Sequence, residues 1–346
     1  MRKTVEALAP GHPDRACDQI ADAIVDEYLR RDPAASVNVS VLGSRGMLVV
    51  AGDVRSKADF DLSTLVKQVY ADIGYADEPE VFANVFAAGL DSEKARANDA
   101  CSVNGYATRE TRELMPRACV FSSDIVRRLD DLRRTDPAFS WLLPDARAQV
   151  VMERDRVVCV TVLAAHAPNV VANDVRAAIL DRVVSPIVGE EGVRLYVNPQ
   201  GAVADGGFAS GVGVSGRRAS IDAYGGLIPH GGATISGKDP RRAERTGLYL
   251  SRLAARWIVG QELASSALVS VVYSPGSAEP IHVEASGVSE KSRGSKMDFS
   301  NLVKTRFDFR PDAIVERLGL AKPMYRAAAA YGPFGRAGFP WEETLE

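Results

Sequence analysis

Residues 11–15, Gly11-His12-Pro13-Asp14-Arg15, set an imidazole, a carboxylate and a guanidinium side by side just ahead of a segment with helical periodicity. At a helix N-terminus such a group suits a phosphate. The free N–H groups and Arg15 favour an anion, Asp14 can hold a hard cation, and His12 can donate a hydrogen bond to an oxyanion. The same residues also read as a Pro-containing turn with Asp14 as a cap, and spacing alone does not choose between the two.

A second concentration lies at 201–239, where eleven glycines in 39 residues surround Arg217-Arg218 and lead into Ser236-Gly237-Lys238-Asp239-Pro240-Arg241-Arg242. Glycine lets main-chain N–H groups crowd a phosphate, and Arg217, Arg218, Lys238 and Arg242 can neutralise several charges. A flexible linker is the alternative, although Ile221, Tyr224, Leu227 and Ile228 in its middle are unlike one. Residues 211–218 come near the P-loop spacing, but Arg217-Arg218 stands where Lys-Ser/Thr is required, which argues against a P-loop nucleotidase. No Gly-x-Gly-x-x-Gly follows a strand to open a βαβ unit. His12, His166, His230 and His282 have neither zinc-ligand spacing nor a nucleophile elbow beside them. A dehydrogenase and a triad hydrolase are therefore unsupported.

The elements that must position these residues follow from periodicity. Ile20, Ile24, Tyr28 and Val25, Leu29 predict a helix over 18–31 that stops at Asp32-Pro33. The runs 37–42 and 47–54 read as a hairpin, and 62–73 as a second helix capped by Asp59 or Asp61 and stopped at Gly74. The order recurs twice: helix 123–134, hairpin 149–152 with 157–163, helix 174–184; then helix 246–259, strands 267–273 and 280–285, helix 299–307. A spacing of roughly 110 residues suggests three similar α+β units, each a sheet with helices on one face. Residues 157–163, Val-Val-Cys-Val-Thr-Val-Leu, are apolar on both faces, which favours a dimer with sheets stacked across subunits.

At 346 residues, 46% hydrophobic and 25% charged, the chain has the composition of a soluble protein able to bury a sizeable core. A net charge of -3 supplies no positive field to gather nucleic acid or anionic membrane. No run approaches a membrane span, no secretory leader precedes residue 10, and the chain reads as cytoplasmic. Cys17, Cys101, Cys119 and Cys159 lack C-x-x-C spacing, so neither zinc nor a disulfide framework is expected.

Gly11-His12-Pro13-Asp14, Gly105-Tyr106-Ala107-Thr108, 141–147 (Trp-Leu-Leu-Pro-Asp-Ala-Arg), Asp222-Ala223-Tyr224-Gly225-Gly226, His230-Gly231-Gly232, Ser236-Gly237-Lys238-Asp239-Pro240 and the 330–342 ending together resemble, in this order, the S-adenosylmethionine synthetase (methionine adenosyltransferase) family. The resemblance spans nearly the whole chain. It implies an α+β fold of three pseudo-threefold subdomains, 1–10 with 110–205, 11–99 with 206–245, and 100–109 with 246–346. It also implies a homodimer with active sites between subunits, with a tetramer as a further option. The implied reaction is attack of the methionine sulfur on C5′ of ATP, with release of triphosphate that is then hydrolysed to pyrophosphate and phosphate.

Carried over residue by residue, the resemblance makes His12, Lys238 and Arg217 catalytic, with His12 near the C5′ oxygen. It assigns Arg147, Asp145, Arg217, Arg218, Lys238, Asp222 and Asp99 to ATP, and Asp53, Asp99 and Arg242 to methionine. Asp14 and Glu244 become ligands of Mg²⁺, of which two ions are expected. Several positions depart from the pattern. The signature Gly-Ala-Gly-Asp-Gln-Gly reads Arg96-Ala97-Asn98-Asp99-Ala100-Cys101, and the loop before it is short. Arginine replaces lysine at 147 and 218. Ser40 stands where the family uses a glutamate for potassium, so K⁺ dependence should be weak or absent. Gly211 replaces an aspartate that holds the methionine amino group, and Val203 a phenylalanine that stacks on adenine. These changes leave open the same triphosphate cleavage with another acceptor or nucleotide, and an idle partner subunit.

Overall fold

The computed structural model of the chain describes residues 2–87, 97, 99–189, 191–232, 234–288 and 297–344. In chain order the strands are β1 (Arg2–Leu8), β2 (Ser36–Ser44), β3 (Met47–Arg55), β4 (Glu80–Ala87), β5 (Cys101–Thr108), β6 (Leu142–Glu153), β7 (Arg156–His166), β8 (Arg194–Val197), β9 (Gly213–Val214), β10 (Ser266–Tyr273) and β11 (His282–Val288). The helices are α1 (Pro13–Arg31), α2 (Leu62–Ile73), α3 (Arg117–Thr135), α4 (Ala172–Ile179), α5 (Ser185–Val188), α6 (Ala219–Tyr224), α7 (Ala243–Gly260), α8 (Phe299–Arg306), α9 (Pro311–Leu318) and α10 (Tyr325–Ala329).

The strands form three sheets, ordered β1-β6-β7-β8, β4-β3-β2-β9 and β11-β10-β5. Helix α3 packs on β1 and β6, α1 on β2, α2 on β4, α7 on β5 and β10, and α8 on β11. The chain is thus α+β in three sheet-and-helix units. Each predicted helix and hairpin is present, most with longer bounds; the 62–73 helix has the bounds expected, the 299–307 helix stops at Arg306 and the 280–285 strand runs over His282–Val288. The 62–73 helix is capped by Asp61, whose carboxylate accepts the N–H groups of Ser63 and Thr64, and it ends at Gly74 in the left-handed region. The helix predicted over 174–184 passes instead into a π-helical turn at Leu180–Val184. Strands β1, β4, β5, β8 and β9 were not anticipated; β1 and β5 have mates far along the chain, β6 and β10, while β4 adds in parallel to β3. No described helix is long and apolar enough to cross a membrane.

Two features of this frame prepare the site. Helix α1 is buried on more than its apolar stripe: Asp14, Arg15, Asp18, Gln19 and Asp22 are buried too. The second sheet leaves its other face uncovered, and the strand register sets Leu42, Val49 and Phe82 in one row and Asn38, Asp53 and Phe86 in another. Phe82 and Phe86 are 47% and 62% exposed there.

Candidate active site

His12 is the N-cap of α1 and Pro13 its first residue, so the sequence motif places its functional groups on a helix N-terminus. The Nδ1 of His12 accepts the Asp14 N–H at 3.2 Å, which leaves the ring proton on Nε2. Burial holds the imidazole down at about 4, against the pull of Asp14, and Arg218, Arg15 and Arg147 add to the lowering. His12 is therefore neutral at pH 7 and acts as a hydrogen-bond donor rather than a cation.

Asp14 is fully buried and heavily engaged. Its Oδ1 accepts the Val214 N–H at 3.0 Å and pairs with Arg217 at 2.5 Å, and its Oδ2 accepts Arg218 Nε at 2.8 Å. Burial works to raise its pKa, but these donors hold it below the ordinary value. Strand β9 makes this contact possible by pairing Gly213 with Gly43 of β2, and a Cβ at Gly213 would lie 2.2 Å from the Pro13 carbonyl oxygen. That close approach explains one glycine of the rich segment.

A second cluster forms at the amino end of α7. Lys238 Nζ donates to Glu244 Oε1 at 2.7 Å. Asp53 accepts from Asn38 Nδ2 at 2.9 Å and faces Arg242 at 3.7 Å. Asp99 accepts its neighbour's N–H in an exposed bend. Burial, then Glu244 and Asp99, push the Cys101 thiol up to about 12 with Lys238 opposing, which gathers these three charges around one thiol.

Both clusters rest on β2, one opposite Gly43 and the other at the Asn38 bridge to Lys238. Five residues of strand separate them, about 17 Å. Arg147 and Asp145 lie half-buried on one face of the first sheet; Arg147 is paired with Glu6, and Asp145, covered by the 206–207 turn, accepts the Gly207 N–H at 2.9 Å. Asp222 is buried behind the first cluster and bonded to Arg15. Space is open around Gly211, so its missing side chain is not dictated by packing. Ser40 is exposed on the uncovered face of the second sheet. Arg96, Asn98 and the short loop at 88–96 lie outside the described residues.

Sequence reasoning missed Asp18, Asp22 and Asp26, which continue the i, i+4 row begun by Asp14. They accept backbone N–H groups of Gly216, of Gly237, and of Met324, Tyr325 and Arg326. The signal was available in the aspartates' four-residue spacing, which puts them on one helix face.

The donor set bears on Mg²⁺ directly. Among the described residues no three His, Cys, Asp or Glu side chains stand together as a metal group. Glu244 Oε2 is nonetheless buried without a hydrogen-bond partner, a free hard oxygen beside Lys238. Asp14 offers an oxygen once Arg217 and Arg218 turn to a phosphate. Magnesium needs no more than one or two carboxylates when phosphates and waters complete its shell, and these residues fit it on those terms.

Comparison with known proteins places the chain. The family models for the N-terminal, central and C-terminal domains of S-adenosylmethionine synthetase match residues 1–89, 94–203 and 205–343. The S-adenosylmethionine synthase of Sorangium cellulosum is 36% identical over 370 residues, covering 99% of this chain and 87% of its own length. Those of Salinibacter ruber and Chlorobium phaeobacteroides are 36% and 33% identical over 98% and 99% of this chain, each along 95% of its own length. These alignments, 369 to 383 positions long, exceed the 346 residues available, so the relatives carry segments that this chain lacks. With three domain models in sequence and full-length relatives above 30% identity, the chain belongs to the S-adenosylmethionine synthetase family, a family of methionine adenosyltransferases.

Proposed function

We propose that this protein makes S-adenosylmethionine from ATP and L-methionine, the sulfur lone pair forming a bond to C5′ as the C5′–O5′ bond breaks and its electrons leave with the triphosphate. The observation that carries the reading is the amino end of α1, where His12, Asp14, Arg217 and Arg218 converge. Charge develops on the departing oxygen, and preorganised donors lower that barrier most. The Nε2–H of neutral His12 is the donor for that oxygen. Arg217, Arg218, Arg147 and Lys238 take up the phosphate charge, with planar guanidinium forks at three of the four positions. Arg217 and Arg218 exchange the Asp14 carboxylate for phosphate oxygens. Asp14 and Glu244 would hold Mg²⁺, which when bound would supply further charge neutralisation to the triphosphate. Asp53, Asp99 and Arg242 hold methionine, and water then attacks the retained triphosphate to give pyrophosphate and phosphate.

The active unit is a homodimer on this reading. Two clusters about 17 Å apart on one strand cannot close around one triphosphate. Stacking the uncovered sheet faces of two copies brings the first cluster of one chain toward the second cluster of its partner and covers Phe82 and Phe86. Ser40, a neutral hydroxyl, gives potassium no carboxylate, so K⁺ should change the rate little.

Purified protein is incubated with Mg²⁺, ATP and methionine, with and without K⁺, and S-adenosylmethionine, pyrophosphate and phosphate are followed together by chromatography and mass spectrometry. Equal amounts of all three are expected, lost in His12→Asn and in Lys238→Ala. Phosphate without the sulfonium product would overturn methionine as the acceptor, and silence on all products would make the chain an idle partner subunit.

A further inference from the structure

The two cationic loops, 213–218 and 234–238, meet under α1 beside one buried carboxylate. Asp18 is 1% exposed. Its Oδ1 accepts the Gly216 N–H at 2.6 Å, one residue before Arg217. The Ser236 hydroxyl, two residues before Lys238, lies near the same carboxylate without a hydrogen bond to it, and Asp18 Oδ2 is buried without a partner. The loops also touch each other directly, since a Cβ at Gly216 (φ +77°) would lie 2.5 Å from Thr234 Cγ2.

On the far side β2 pins both. Ser215 N–H donates to the Val41 carbonyl and Ser215 Oγ accepts the Val41 N–H, each at 2.9 Å, while Val39 N–H donates to the Gly237 carbonyl at 2.9 Å. Asp18 holds the 215–217 turn from the α1 side, away from β2. One helical turn further on, about 6 Å away, Asp22 holds Gly237 N–H at 2.8 Å and Arg245 at 2.5 Å. Removing Asp22 would leave the fully buried Arg245 unpaired, so Asp18 is the cleaner probe.

We propose that Asp18 is a positioning residue: it fixes the Arg217-Arg218 loop against the Lys238 loop, and through them the placement of the cations that each loop gives to a triphosphate, in its own pocket or in the partner's. It touches no substrate and acts through Gly216, which packs on Thr234 of the second loop. The inference rests on the function proposed above. What it requires is an acceptor in one place, not a charge, so asparagine, which keeps a carbonyl oxygen of the same reach, should serve and alanine should not.

The test uses the full chain and inorganic tripolyphosphate with Mg²⁺ in calorimetry, alongside KM for ATP and for methionine. Asp18→Ala is expected to weaken tripolyphosphate binding and raise KM for ATP about tenfold or more, because small misplacement of binding groups is costly. Its KM for methionine should stay within about twofold, and Asp18→Asn should restore both values. Mere loss of folded protein would lower the apparent kcat and leave both KM values alone. Should Asp18→Ala fail to fold, Asp18→Ser, whose shorter side chain does not reach the Gly216 N–H, takes its place with the same direction expected. Wild-type affinity in the alanine variant, or equal damage in the asparagine variant, would overturn the proposal. Failure of the wild-type protein itself to bind tripolyphosphate would instead sink the function on which it rests.

Discussion

Asp145 shows how burial decides a side chain's charge. Burial pushes its carboxyl up to about 6, the Gly207 N–H opposes and Asp14 adds to the rise. A folded pKa above the unfolded one means that the folded chain binds the proton more tightly, so the contribution to stability is complete below about pH 4 and is lost as pH rises through about 6. Asp145→Asn keeps an oxygen for the Gly207 N–H and has no charge to bury. Urea unfolding at pH 4.5 and 7 should show the variant gaining about 1–2 kcal/mol on wild type at the higher pH and nearly nothing at the lower. Equal gain at both would mean that the effect is not the proton. The sequence named Asp145 but had no means of showing its burial. His12 is similar: its place before Pro13 was legible, whereas its neutrality depends first on burial and then on Arg218, Arg15 and Arg147, which the fold gathers around it.

At the scale of elements, the frame depends on close approaches that only glycine allows. Helix α7 lies directly on β5 at Gly105, where a Cβ would stand 1.9 Å from the Ser251 carbonyl carbon and 2.2 Å from Arg252 N. Backbone cannot yield as a side-chain tip can. Gly105→Ala should therefore destabilise by about 1–3 kcal/mol or more through overpacking, read as a fall in the urea midpoint. An unchanged midpoint would show that α7 can lift from the sheet. Helix α1 was found from Ile20, Ile24, Val25 and Leu29, but its aspartate face was hidden from periodicity, which treats a polar stripe as solvated. Asp18 and Asp22 stay buried because each accepts a backbone N–H from a loop about 200 residues away.

For the whole molecule, the uncovered face of the second sheet carries the argument. Exposed Phe82 and Phe86 beside Leu42 and Val49 make an apolar face next to both charged clusters. On the proposed dimer, Phe82→Asp with Phe86→Asp should give a monomer by light scattering with no product formed, because each pocket then lacks half its residues. A variant that stays dimeric and active would show that this face is not the interface.

By itself the sequence determined the family, the α+β class with its three-fold rhythm, and most residues of the two clusters, because motifs and periodicity are local and survive without coordinates. Tertiary structure decided what depends on partners far along the chain. It paired β1 with β6 and β5 with β10, split the expected site into two clusters at either end of one stretch of β2, and buried Asp222 against Arg15. Burial, ion pairing and strand register are properties of neighbours in space, and the aspartates of α1 acquire their part only when distant loops fold onto them.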